Sequence, residues 1–231
     1  MPFKFLRAKF NGDPNIGLYG FATDDYCLLG LEPNKKILKQ IKKILKTDIK
    51  FSTIAGTELS GIFIAGNKNG IILPKIIEKY ELKNLKKLFD LNFEIIKSRQ
   101  TALGNLIVCN DKGCLISGKL RRFKKKISDV LDCEVETGTI ANLDIVGSAA
   151  TANNIGCLCH REATEEEMVK IEELLKVKVD VGTSGYGSPF IKSGIIVNSK
   201  GVVFSELSTG PEIGRFEEVF SWLKKKTYKK N

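Results

Sequence analysis

Short apolar runs alternate with polar turns at a regular interval along the chain. "NKNG" at 67–70, "NDKG" at 110–113, "NNIG" at 153–156 and "NSKG" at 198–201 each separate two apolar runs, such as "NLIVC" and "CLIS". Asn at the first position and Gly at the fourth predict a hairpin turn whose glycine takes positive φ. The glycines stand at 70, 113, 156 and 201, at intervals of 43, 43 and 45 residues. A fixed period of this size marks a repeat architecture. Gly61, Gly104 and Gly147 stand nine residues before their turn glycines, while the same count back from Gly201 ends on Lys192, so the last copy has drifted. "IGLYGFATDDYCLLG" fits a first copy opened by Gly17, with Tyr26 falling 44 residues before Gly70. A tyrosine at positive φ would be strained, which predicts a first turn of changed shape.

After each hairpin the apolar spacing switches to three and four, the period of a helix. The first copy uses Ile37, Leu38, Ile41, Ile44 and Leu45; the third uses Phe123, Ile127, Val130 and Leu131; the fifth uses Phe216, Val219, Phe220 and Leu223. In the fourth, Thr164 and Glu167 form a capping box ahead of Met168, Ile171, Leu174 and Leu175. Alternating strands follow the first four helices: "IKFSTI", "FEIIKS", "CEVETGTI" and "VKVDVG". The fifth helix runs instead into "KKKTYKKN", while "FKFLRAKF" at residues 3–10 is left unused at the other end. A ring closed by that segment uses every element and removes the open edges of an array. The expectation is an α/β fold of five quasi-equivalent ββαβ repeats, near 11–54, 55–98, 99–140, 141–184 and 185–224. They form one domain, 1–224, followed by a basic tail at 225–231.

Composition adds limits. A hydrophobic share of 42% with 28% charged residues is ordinary for a globular protein. No apolar stretch reaches the ~20 residues of a membrane span, and "MPFKFLRAKF" does not read as a secretory signal, so a cytoplasmic location is expected. The six cysteines lack disulfide-scaffold or CxxC spacing and read as buried free thiols. A net charge of +10 points to anionic partners, nucleic acid first, although a lysine-rich solvated rim gives the same figure.

The segments "NKNGIILPKI" (67–76), "SRQTALGNLIVCND" (98–111), "GTIANLDIVGS" (138–148), "NIGCLCH" (154–160) and "NSKGVV" (198–203) resemble those of archaeal and eukaryotic translation initiation factor 6, the ribosome anti-association factor family. The likeness runs through residues 5–222, in order and in register. It implies a pentein fold, five αβ units about a pseudo-five-fold axis. It also implies a monomeric, non-enzymatic factor without cofactors that docks on the intersubunit face of the large ribosomal subunit. There the family sits on large-subunit proteins near the sarcin–ricin loop, keeps the small subunit from joining, and has a role in large-subunit maturation. The chain departs from the family pattern at Arg161 after His160, at Gly185, at Lys192 and in its strongly basic charge.

Equivalent loops of a cyclic repeat gather on one face. The steps Ile16-Gly17, Ser60-Gly61, Leu103-Gly104, Val146-Gly147 and Ile191-Lys192 therefore mark a candidate ribosome-binding face, with Thr101, Asn105 and Ser148 beside them. Glycine lets a partner approach the backbone closely, or alternatively lets strands crowd at the axis. Asn105, in "TALGN", is the leading binding candidate. Lys119, Arg121, Arg122 and Lys124, read as part of the third helix, are candidate rRNA phosphate contacts. Cys157, Cys159 and His160 are read as core thiols and a hydrogen-bonded histidine, because zinc needs four converging ligands. Two rival readings remain: a pentein-type guanidine-modifying enzyme using a Cys with His160, and a general basic RNA binder. The first needs a base beside the thiol, and His160 is the one histidine in the chain.

Overall fold

Five separate three-stranded sheets succeed one another in the computed structural model, which describes residues 4–220. They are Gly20–Ala22, Tyr26–Leu29 and Asp48–Phe51; Ala65–Gly66, Gly70–Pro74 and Asn92–Ile96; Ile107–Cys109, Gly113–Ser117 and Glu134–Gly138; Ala150–Ala152, Gly156–His160 and Lys178–Gly182; and Ile195–Asn198, Gly201–Ser205 and Phe5–Ala8. In each, the middle strand pairs antiparallel with the one before it and parallel with the third. The helices Lys35–Leu45, Lys79–Leu88, Lys124–Leu131, Glu165–Leu175 and Gly210–Phe220 follow the middle strands. The fifth sheet borrows its third strand from the start of the chain, with Phe5 opposite Val202 and Ala8 opposite Ser205. This is the pentein-type ring expected from the repeat. Residue 3 of the closing segment, Leu223 and the 225–231 tail lie outside the described residues.

The middle strands are buried at every position. The reason is that the core lies between sheets. One cluster joins Leu28 to Ile64, Ile71 and Leu85, and the next joins Ile72 and Ile96 to Ile107, Ile116 and Leu131. A third joins Leu115 to Val146, Cys157 and Leu175, and a fourth joins Leu158 to Ile195, Phe204 and Phe216. The last joins Ile196 and Val203 to Ala8, Cys27, Ile41 and Leu45, completing the circle. Each middle strand thus has a core on both faces and reads as a continuous apolar run. Closure acts through these shared cores. One strand pairing, Phe5–Ala8 on Val202–Ser205, joins the two ends as the repeat pattern predicts, but the five sheets stay separate and keep their other edges, which the ring was expected to remove.

The turn glycines correct the reading by turn type. Gly70, Gly113, Gly156 and Gly201 are absent from the positive-φ glycines, which among the described residues are Gly12, Gly56, Gly185 and Gly187. A Cβ on Gly70, Gly113, Gly156 or Gly201 would instead run into the backbone oxygen of Val130, Leu174, Val219 or Ile44. These oxygens belong to the last turn of the next helix around the ring. Glycine stands there because two backbones approach too closely for a side chain. Three of the four turn asparagines bind the same junction. Asn67 Nδ2 donates to the carbonyls of Leu131 at 2.8 Å and Asn110 at 3.3 Å. Asn110 Nδ2 donates to Leu175 at 2.9 Å and Asn153 at 3.1 Å. Asn198 Nδ2 donates to Leu45 at 2.9 Å and Thr23 at 3.0 Å.

The first turn, expected to change shape, keeps it. Thr23 N donates to Tyr26 O at 2.8 Å, as Asn67 N does to Gly70 O at 3.1 Å. Tyr26 is accommodated because the facing helix ends differently. Lys46, Asp132 and Lys176 close the first, third and fourth helices in the left-handed region, whereas Phe89 closes the second in extended conformation. The Tyr26 ring packs on Phe89 with centroids 4.9 Å apart, and its hydroxyl donates to Asn67 O at 2.9 Å. A Thr–Tyr pair here does the work of the Asn–Gly pair elsewhere.

Candidate functional site

Five short helical turns, Ile16–Tyr19, Ser60–Phe63, Leu103–Asn105, Val146–Ala149 and Ile191–Gly194, surround the axis on one face. They are drawn together by the apolar-glycine steps. A Cβ on Gly61 would overlap Gly17 O, one on Gly104 would overlap Gly61 O, one on Gly147 would overlap Gly104 O, and one on Gly17 would overlap Lys192 O. Ile16, Leu103 and Val146 are core residues, and the buried Ser60 donates its hydroxyl to Tyr19 O at 2.7 Å. Of the two readings of these glycines, crowding at the axis is the one the geometry carries.

What remains outward is Thr101, Asn105 and Ser148. Each is partly exposed. Asn105 and Ser148 edge a depression of about 220 Å³ walled by Leu18, Ile145 and Phe190 and floored by Gly17, Gly61 and Lys192. The backbone N–H of Asn105 donates to Ala102 O at 3.1 Å, which fixes the turn. An apolar hollow rimmed by amide and hydroxyl groups suits docking against a protein surface.

Lys192 occupies the place of the fifth glycine. Its stem is partly exposed, but its ammonium crosses the axis and donates to Gly104 O at 2.7 Å. Burial pulls its pKa down to about 8. Beyond it, the innermost strands line an axial cavity of about 70 Å³. The break in the glycine series is visible in the sequence at Lys192. The path of its side chain is not, nor is the role of Leu18, Ile145 and Phe190, which no periodic signal singles out.

The candidate phosphate contacts divide. Lys119, Arg121 and Arg122 belong to the tight 3₁₀ stretch Gly118–Phe123 and precede the third helix rather than lying on it as expected. Lys119 pairs with Asp144 at 3.2 Å and Lys124 with Glu136 at 2.7 Å, so the charge of both is largely compensated. Arg122 lies 4.6 Å from the Phe123 ring centre and reaches Lys97 O at 3.5 Å. Arg121 is exposed.

Cys157 and Cys159 face the core between the third and fourth units, with sulfurs 3.7 Å apart. His160 points the other way, accepting from Glu162 N at 3.1 Å and meeting the Phe190 ring edge-on at 5.8 Å. The thiols and the imidazole are thereby separated by the strand itself. Hydrogen bonding to Cys157 and burial push the Cys159 thiol well up, and burial pushes Cys27 up to about 12. Neither suits a thiolate nucleophile. Among the described residues, no group of three or more His, Cys, Asp or Glu could hold a metal ion, and no helix is long and apolar enough to cross a membrane.

The model of the eIF-6 family matches residues 5–219. The chain is 42% identical over 224 residues to translation initiation factor 6 of Methanocaldococcus jannaschii, covering 94% of this chain and 98% of that protein. It is 40% identical to the factor 6 of Thermococcus onnurineus, with the same shares covered. With that of Sulfolobus acidocaldarius it shares 39% identity over 93% of this chain and 98% of the relative.

Proposed function

Because the chain belongs to the eIF-6 family, we propose that it binds the intersubunit face of the large ribosomal subunit and keeps the small subunit from joining. The observation that supports this most is the axial face: five turns locked backbone to backbone, with Asn105 and Ser148 on the rim of an apolar hollow. Such a face is already organised before it meets a partner, so little ordering entropy is lost on docking. Blocking requires occupancy alone. A rigid disc covering about 800 Å² of the subunit occupies space that the small subunit needs, and slow dissociation sets how long the block lasts. The monomer docks on ribosomal proteins near the sarcin–ricin loop, and Arg121 and Arg122 add phosphate contacts with rRNA. The same occupancy gives it a role during large-subunit maturation. Co-sedimentation with purified subunits tests the reading. The protein is expected to pellet with large subunits and stay behind with small ones, even under excess tRNA; displacement by tRNA identifies a general RNA binder instead.

A further inference from the structure

We infer that Glu81, Glu167 and Glu212 are positioning residues, each holding a left-handed segment that leads directly into a turn of the axial face. As a statement about docking, this rests on the function proposed above. Glu81 accepts from Thr53 Oγ1 at 2.8 Å, Ala55 N at 2.8 Å, Gly56 N at 2.9 Å and Glu78 N at 3.0 Å. Glu167 repeats the pattern with Thr139 Oγ1 at 2.6 Å, Ala141 N at 2.7 Å, Asn142 N at 3.0 Å and Thr164 N at 3.1 Å. Glu212 does so with Thr183 Oγ1 at 2.9 Å, Tyr186 N at 3.3 Å, Gly187 N at 2.8 Å and Thr209 N at 2.7 Å. Each carboxylate thus ties the start of its own helix to the loop that follows the third strand of the preceding sheet. Burial pushes these carboxyls up, but their hydrogen bonds outweigh it and hold all three below the ordinary value.

The residues they hold need holding. Ala55 has φ 56°, Ala141 55°, Asn142 58° and Tyr186 72°, in a region that side-chain-bearing residues other than Asn and Asp seldom adopt. In the first unit the corresponding left-handed pair is Asn11–Gly12, residues that tolerate the conformation by themselves, and the helix there has Ile37 at the equivalent place. In the third unit, residues 97–102 contain no positive-φ residue. The carboxylates therefore occur in the three units whose loops depend on them. A few residues further on come Ser60, Val146 and Ile191, which open the axial turns. In the fifth unit the latch also presents Tyr186, 80% exposed, on a backbone conformation that an unsupported tyrosine would leave.

Hydrogen exchange and large-subunit binding of Glu81→Gln, with and without Ala55→Gly, test the inference. Glutamine leaves the shape but cannot accept all four bonds. Exchange in residues 54–63 should rise about tenfold or more while strands Gly70–Pro74 and Asn92–Ile96 stay unchanged, and large-subunit affinity should fall about fivefold. Ala55→Gly in the same background should recover about half of both losses, because glycine holds positive φ unaided. Unchanged exchange in 54–63, an equal rise throughout the protein, or no recovery in the double variant overturns the inference. If the unaltered protein does not bind large subunits, the proposed function fails, and the exchange data alone judge the latch.

Discussion

Asn105 and Lys192 lie within one ring of backbone yet have opposite roles. Asn105 is partly exposed beside the axial hollow, so under the proposed function Asn105→Ala should weaken large-subunit binding about tenfold while the melting temperature stays the same. Loss of both together would make it a structural residue. Lys192 sends its charge inward. Its folded pKa of about 8 lies below the reference value of 10.5, so between those limits the unfolded chain binds more protons than the folded one. Stability contributed by this site should therefore rise as pH goes from 8 to 10.5. Melting curves of the protein and of Lys192→Met across this range should converge or cross in favour of the lysine form; a constant difference would put the ammonium in water. Asn105 could be singled out from "TALGN" because a short polar side chain follows a glycine step. The inward course of Lys192 could not be, since its acceptor lies 88 residues away.

At the level of elements, periodicity carried most of the information. The hairpins, the helices and the capping box at Thr164 and Glu167 follow from patterns within a dozen residues, and the box is present with both bonds formed. The purpose of the turn glycines was hidden for the same reason. Turn chemistry is local, whereas Gly113 answers to Leu174 in the next unit. The two explanations differ in what they tolerate. Asn accepts positive φ readily, so a conformational role predicts that Gly113→Asn is milder than Gly113→Ala. Overlap with Leu174 O predicts the reverse order, with Gly113→Ala costing about 1–3 kcal/mol in chemical denaturation and Gly113→Asn more. The Thr23–Tyr26 pair belongs to the same lesson: the tyrosine stands at a position that needs no positive φ, and the extended end of the facing helix at Phe89 leaves room for its ring.

The whole molecule is a circle of five cores, each completed by two neighbouring units. No unit owns its core, so the ring should unfold as one cooperative body rather than unit by unit. The seam between the ends of the chain is the most exposed to test. Phe5–Ala8 pairs with Val202–Ser205, and Ala8 and Phe10 fill the fifth cluster. Deleting residues 1–10 should yield aggregated or unfolded protein by circular dichroism; a native spectrum at full melting temperature would mean that the ring needs no closure. Closure was legible because one strand was missing and one was spare. The separateness of the sheets was not, because strand counting does not reveal which edges meet. If the disc acts by occupying the subunit interface, as proposed, sucrose-gradient sedimentation of purified large and small subunits with the protein added should show it. A free large-subunit peak carrying the protein and a smaller joined-ribosome peak are expected; protein riding on joined ribosomes in undiminished amount would refute occupancy as the mode of action.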